Sequence, residues 1–288
     1  MIFNASGCLD ALTVPEVAKQ LDAYVTKTVT PLPREGNEPV RIAETDVGML
    51  NSIGLANPGI DGFVSDVLPR LAELGIPVWV SIAGFSAAEY AELCSALDDR
   101  DEVATIELNV SCPNVASPED EVEEIVAAAR AATTKTLYAK LSPALPDIGA
   151  AAAAAEKAGA DGLSLVNTLR GLSLDERTLT PTLSTVTGGL SGPALRPVAL
   201  AAVFAARAAT GLPIVGMGGI ENGQHALEFI AAGAHACALG TVLFADPYAP
   251  SRVREQLAAE LAERGFATPV EARAVAHPEG DAELRAVA

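Results

Sequence analysis

Short apolar runs of strand length alternate with stretches whose apolar residues fall three and four apart, and this alternation persists along almost the whole chain. The runs predict strands at residues 2–6, 24–30, 77–83, 105–111, 137–142, 162–167, 213–218 and 236–240. Helical periodicity lies between them at 14–21, 62–74, 87–97, 121–132, 148–158, 196–209 and 225–232. Several of these helices end in a glycine suited to a left-handed cap, namely Gly75, Gly159, Gly211 and Gly233. Strands and helices in strict alternation must cross over right-handedly and cover both faces of a parallel sheet. The expected fold is therefore a single α/β domain, a (β/α)8 TIM barrel, with a doubly wound open sheet as the alternative. The barrel is expected over residues 1–266. The weakly patterned, Ala-rich stretch 267–288 reads as a polar tail, surface-attached or disordered.

Two connections are too long and polar to be turns: residues 31–61 after the second strand and 168–195 after the sixth. Loops on the C-terminal side of barrel strands are where such folds build their sites.

Composition narrows the partners. The 288 residues are 50% hydrophobic and carry a formal charge of −18, with a pI near 4.5. Phosphate-rich partners, whether nucleic acid or an anionic membrane, would be repelled by that surface. Ligands are expected to be small, with any anion met by locally focused positive groups. No apolar stretch approaches the roughly 20 residues of a membrane span, and Met1-Ile2-Phe3-Asn4 lacks a basic region followed by an apolar one. A soluble, cytoplasmic protein is expected. The four cysteines, at 8, 94, 112 and 237, show no metal-ligand spacing, so no zinc or iron–sulfur site is expected on this chain. Cys94 and Cys237 read as small core fillers. The three histidines, at 225, 235 and 277, fall at a helix start, a loop and the tail, with no catalytic role expected.

Candidate chemistry gathers at strand ends. The run Glu107-Leu108-Asn109-Val110-Ser111-Cys112-Pro113-Asn114 closes an apolar strand in amides around one thiol. Cys112 there is either a base, acting as its thiolate, or a buried structural thiol. Asn51, Asn109, Asn114 and Asn167 sit at strand ends or in the first long loop, and amides that donate and accept together suit a flat ring bearing alternating C=O and N–H groups. Lys27 and Lys140 lie within apolar strands, where an unpaired charge is costly, so each meets solvent, an acid of the protein or an anion at the barrel mouth. Gly216-Met217-Gly218-Gly219 leaves the seventh strand and Leu239-Gly240-Thr241 the eighth, the positions where a barrel forms a phosphate cup.

Taken in order, Asn4-Ala5-Ser6-Gly7, Val25-Thr26-Lys27-Thr28, Pro33-Arg34-Glu35-Gly36-Asn37, Gly48-Met49-Leu50-Asn51, Asn109-Val110-Ser111-Cys112-Pro113-Asn114, Val166-Asn167-Thr168, Gly188-Gly189-Leu190-Ser191-Gly192-Pro193 and Gly216-Met217-Gly218-Gly219 resemble the class 1 dihydroorotate dehydrogenases, most nearly the class 1B catalytic subunit. The resemblance implies an FMN enzyme that oxidises (S)-dihydroorotate to orotate in pyrimidine biosynthesis, with FMN at the C-terminal mouth of the strands. It implies Cys112 as base at C5, while hydride leaves C6 for flavin N5. Substrate would be held by Lys27, Asn51, Gly54, Leu55, Asn109, Asn114, Asn167 and Thr168. FMN would be held by Ala5, Ser6, Gly7, Lys27, Thr28, Asn109, Lys140, Val166, Gly192, Gly218, Gly219, Gly240 and Thr241. The implied assembly is a homodimer, or a heterotetramer with a subunit carrying FAD and a 2Fe–2S cluster that passes electrons to NAD. Two departures stand out: Cys8 where the family usually has Thr, and only Val115-Ala116-Ser117-Pro118 after Asn114, where the family carries a longer lid. Alternatives are a dehydrogenase of another dihydropyrimidine, a class 1A-like homodimer using fumarate, and a weakly catalytic flavin-binding scaffold subunit.

Overall fold

The computed structural model describes residues 1–110 and 118–277. From the N-terminus, β1 (Ile2–Asn4) leads through α1 (Pro15–Ala18) to β2 (Tyr24–Val25). An excursion follows, with the hairpin β3 (Ile42–Thr45) and β4 (Gly48–Asn51), then an arm made of α2 (Gly59–Gly62), a π-turn at Phe63–Val67 and α3 (Leu68–Ala72). Next come β5 (Val78–Ile82), α4 (Ala87–Asp98), β6 (Val103–Val110), α5 (Pro118–Ala132), β7 (Thr136–Leu141), α6 (Ile148–Lys157) and β8 (Gly162–Leu165). A second excursion carries β9 (Leu169–Gly171) and β10 (Gly188–Ser191). The chain then completes α7 (Arg196–Ala209), β11 (Ile214–Met217), α8 (Gly223–Ala231), β12 (Ala236–Leu239), α9 (Val242–Ala245), α10 (Ala249–Glu263) and α11 (Pro269–Ala272).

Eight parallel strands run in the order β1-β12-β11-β8-β7-β6-β5-β2. The two ends of that order meet at the Phe3–Ala23 bridge. The Asn4 side chain completes the seam, accepting from Val25 N at 2.8 Å and donating to Val25 O at 2.7 Å, so one amide substitutes for ladder bonds the short β2 cannot make. The result is a (β/α)8 barrel, and the open sheet is set aside. Among the described residues, no helix is long and apolar enough to cross a membrane.

Period-2 alternation divides the strand residues between two cores. On β6, Ile106, Leu108 and Val110 face outward into the large core under the helices. Inside the barrel, Phe3, Val25, Trp79, Val215, Met217, Ala236 and Ala238 form a separate cluster against Tyr138. Phe3 meets Trp79 edge-on at 5.0 Å between centroids, and Trp79 meets Tyr138 at 4.6 Å. This aromatic plug fills the lower barrel, and each large side chain so buried is worth about 1.5–3 kcal/mol. It depends on Gly162, whose added Cβ would lie 2.3 Å from the Tyr138 ring.

At the N-terminal end of the barrel, three residues that immediately precede or lead into a strand clasp the neighbouring strand in the same way. Asp22, Asp161 and His235 donate their backbone N–H to the carbonyls of Ile2, Leu137 and Ile214, respectively. Their side chains then accept the N–H of that same residue, at 2.6, 2.8 and 3.2 Å. Backbone donors that would otherwise be left over at the strand starts are thereby satisfied.

Where the structure departs from the expected elements, the reasons are local. The second strand, expected over 24–30, pairs regularly only at Tyr24–Val25, with a further Val29–Ile82 bridge. Between them Thr26 Oγ1 takes the Ser81 N–H at 3.1 Å, interrupting the ladder. The helix expected at 14–21 is only Pro15–Ala18, because the Gln20 and Leu21 amides tighten onto the carbonyls three residues back. The arm expected as one helix at 62–74 passes through a π-turn just before Pro69, which has no N–H to continue the α ladder. Gly75, Gly159 and Gly233 have positive φ as expected. Gly211 does not, since α7 ends at the extended Thr210. The two long connections contain strands that pair antiparallel as β3-β4-β10-β9. Of the expected tail, residues 267–277 include α11 and lie against the end of α8, where Ala274 and Ala276 donate to the carbonyls of Ile230 and Ala231. Residues 278–288 fall outside the described residues.

Candidate active site

Above the aromatic plug, the inner face turns polar and then opens. Thr28 and Ser81 share a hydroxyl contact at 3.1 Å, and Lys140 Nζ lies 3.6 Å from Glu107 Oε1. Over this layer, at the C-terminal ends of the strands, is a cavity of about 850 Å³, within the range of sites that enclose small molecules.

One wall follows β1 and β2. Ser6 Oγ donates to Thr26 O at 2.8 Å and lies 3.2 Å from Thr28 Oγ1, which fixes the backbone on either side of Lys27. Gly7, at φ +76°, makes room for the Lys27 stem, since a Cβ there would meet Lys27 Cδ at 2.8 Å. Burial loosens the Lys27 proton below the ordinary lysine range; the Lys140 charge adds to this, and Cys8 partly opposes it. Burial likewise raises the Cys8 thiol, against the pull of Lys140 and Lys27. Lys27 has no acidic partner among the described residues.

A second wall is built from amides. Asn167 Nδ2 donates to Asn109 Oδ1 at 2.8 Å, and Asn167 Oδ1 accepts the Thr168 N–H at 2.8 Å. Asn109 O accepts from Tyr90 OH at 2.7 Å, anchoring the end of β6 to α4. Facing them is the excursion sheet, where Asn51 donates to Gly189 O at 3.2 Å and Asn37 donates to Ser52 Oγ at 2.8 Å. Gly54 and Leu55 follow at φ +75° and +56°. For Leu55, a side-chain-bearing residue in the left-handed region, that backbone is strained and held by its surroundings.

The third wall is a glycine cradle after β10, β11 and β12. Gly192, Gly218 and Gly219 have φ of +97°, +127° and +73°. A Cβ on Gly219 would come within 2.7 Å of Gly192 O. Thr241 Oγ1 donates to Ser191 Oγ at 2.8 Å, tying the last strand end to the excursion. Bare backbone at strand ends with hydroxyls beside it is suited to a phosphate group.

The family model for dihydroorotate dehydrogenase matches residues 1–261. This chain belongs to the dihydroorotate dehydrogenase family. It is 46% identical over 256 residues to the dihydroorotate dehydrogenase B (NAD(+)) catalytic subunit of Trichlorobacter lovleyi, covering 86% of this chain and 84% of the relative. The subunit of the same name from Desulforudis audaxviator is also 46% identical, over 267 residues, covering 90% and 87%. That from Listeria innocua is 40% identical over 279 residues, covering 93% and 91%. Among solved structures, the crystal structure of DHODH in complex with ferulenol from Eimeria tenella superposes with a TM-score of 0.80 at 23% identity, covering 96% of this chain and 85% of that one, a likeness of fold. Within the family the chain is of the class 1B type.

Of the residues expected from the dihydroorotate dehydrogenase resemblance, Ala5, Ser6, Gly7, Lys27 and Thr28 line the first wall, and Asn109, Lys140, Val166, Asn167 and Thr168 the second. Asn51, Gly54 and Leu55 line the excursion side; Gly192, Gly218, Gly219, Gly240 and Thr241 form the cradle. Cys112 and Asn114 lie outside the described residues. Cys94 and Cys237 are buried in the core. Among the described residues, no group of three or more His, Cys, Asp or Glu is arranged to hold a metal ion. Sequence reasoning missed Asn37, Ser52 and Ile53, which line the cavity because the supposed loop is a hairpin. It also assigned no part to Glu107. The signal was present: Thr105, Glu107 and Asn109 alternate with Ile106, Leu108 and Val110, which puts the three polar residues on the inner face.

Proposed function

We propose that this dihydroorotate dehydrogenase oxidises (S)-dihydroorotate to orotate with FMN bound in the 850 Å³ cavity, removing a proton from C5 and a hydride from C6. The observation that carries this reading is that amides, two lysines and a glycine cradle, drawn from distant parts of the chain, all line that cavity. The donor set fits FMN. Gly192, Gly218, Gly219, Gly240 and Thr241 suit the phosphate, Ser6 and Thr28 the adjoining chain, and Lys27 and Lys140 the electron-rich ring edge. FMN, when bound, supplies the two-electron acceptor. Asn51, Asn109, Asn114 and Asn167 hold the pyrimidine ring through its alternating donors and acceptors, and Lys27 with the Gly54 and Leu55 amides faces the carboxylate. Cys112, as thiolate, takes the C5 proton.

The names of the relatives, each the catalytic subunit of an NAD(+)-linked enzyme, support a partner subunit for this chain. We propose that this partner carries FAD and a 2Fe–2S cluster for electron transfer and is assembled around a homodimer of this chain. Anaerobic rapid mixing of the flavin-loaded protein with dihydroorotate tests the reaction through loss of the flavin's visible absorbance. Rapid bleaching is expected, slowed on the order of 10²–10⁴-fold in Cys112→Ser at neutral pH. Bleaching by dihydrouracil but not by dihydroorotate would overturn the substrate assignment.

A further inference from the structure

Among the described residues, Glu107 is the one buried carboxylate, with its side chain 1% exposed. It belongs to the inner face of β6, two residues before Asn109, and Asn109 stands in register with Lys140 on β7. Its Oε1 has no hydrogen-bond partner and faces Lys140 Nζ at 3.6 Å. Lys140 lines the cavity and Glu107 does not, so the acid stands behind the lysine as seen from the ligand. An uncompensated acid costs several kcal/mol in such a place, and a buried ion pair often stabilises no better than an apolar pair would. Stability is therefore a weak reason for Glu107 to be there. The spacing also leaves the ammonium's own donors available, because 3.6 Å is longer than a hydrogen bond. Among the described residues, the other titratable groups coupled to Lys140 are Lys27 and Cys8, neither of which is a carboxylic acid.

We propose that Glu107 is a positioning residue, holding Lys140 at the wall beside Asn109 and offsetting part of its charge, so that the pair sets the reduction potential of the bound flavin. This rests on the flavin reading above. A negative charge behind the lysine disfavours adding electrons to the ring, and the lysine favours it. The two effects are fixed to one another by adjacent strands.

The test is the midpoint potential of bound FMN, read by spectroscopic titration against a reference dye, in the whole flavin-loaded protein. Glu107→Gln keeps the shape and removes the charge. Its ratio of reduced to oxidised flavin at a fixed reference potential is expected to rise roughly tenfold, about 30 mV for a two-electron couple. Glu107→Asp, which keeps the charge, is expected to stay within about twofold of wild type on the same scale. An unchanged or lowered potential in Glu107→Gln, whatever its thermal stability, overturns the proposal and leaves an ion pair of the fold. Should Glu107→Gln fail to fold, the pair Lys140→Arg and Lys140→Arg/Glu107→Gln decides, since the guanidinium keeps a cation beside the acid and so keeps the acid charged in the single variant. The potential of the double variant is expected to lie above that of Lys140→Arg alone, and equality overturns the proposal. A well-folded wild type that retains no FMN sinks the flavin reading and this proposal with it, a result recognisable by the colourless protein.

Discussion

The two ends of the barrel treat polar groups in opposite ways. At the N-terminal end, Asp22, Asp161 and His235 each make a double contact with a neighbouring strand, and Arg254 and Arg130 complete the two acids at 3.0 and 3.1 Å. At the mouth, Ser164 Oγ and Glu107 Oε1 are buried without hydrogen bonds, Lys27 has its proton loosened, and Leu55 sits in a strained backbone. The same strands run through both ends, so neither sequence length nor fold accounts for the contrast. The clasping groups are paired because they only have to hold strands together, whereas at the mouth Lys27 lines the cavity with no acidic partner among the described residues, and Glu107 and Ser164 lie unpaired behind that wall.

Lys27→Met gives the sharpest break. Removal of a cation aimed at the site is expected to slow flavin reduction by dihydroorotate on the order of 10²–10³-fold. The ligand-free protein should nonetheless melt higher by roughly 2–4 °C per kcal/mol of burial cost relieved. A fall in both quantities would erase the distinction between the ends. Asp161→Ala should do the reverse. It leaves the Leu137 N–H without its acceptor and Arg130 without its acid, which is expected to cost about 1–3 kcal/mol by denaturant titration, with flavin reduction per folded molecule unchanged.

Gly162→Ala probes the plug between the ends. A Cβ 2.3 Å from the Tyr138 ring must push that ring against Trp79, for an expected loss of about 1–3 kcal/mol. The smallest effect is on pH. Burial, together with Arg273 and Arg207, pushes His235 down from 6.5 to about 4. The unfolded chain thus binds a proton first as pH falls, so stability is present above about 6.5 and is lost toward about 4. With screening allowed for, that loss is on the order of 1–2 kcal/mol. His235→Asn should flatten this acid limb. Lys27, also lowered, should give the ligand-free protein a stability that rises with pH up to 10.5, and Lys27→Met should remove that rise.

Much of this was legible in the sequence because it rests on periodicity. Eight apolar runs marked eight strands, and the strand-end positions of Asn109, Lys140, Asn167 and Gly218 marked one mouth. The excursions were legible only as long polar stretches. Their strands, such as the half-exposed Ile42-Ala43-Glu44-Thr45, gain stability from pairing with one another rather than from burying an apolar face, so alternation was faint. Glu107 was legible as a position but not as a partner, since its meeting with Lys140 depends on the register of β6 and β7.

The pairing of β4 with β10 joins the connection after β2 to the one after β8, which are about 140 residues apart in the chain, through Asn51, Leu50 and Met49 opposite Gly189, Leu190 and Ser191. Neither connection is therefore an independent module. A graft or deletion in one would strip the other of its hydrogen-bonding neighbour, so lineages and engineers alike must exchange the two together. Altered ligand preference in this scaffold should be reached by paired replacement of both segments rather than by varying either one alone.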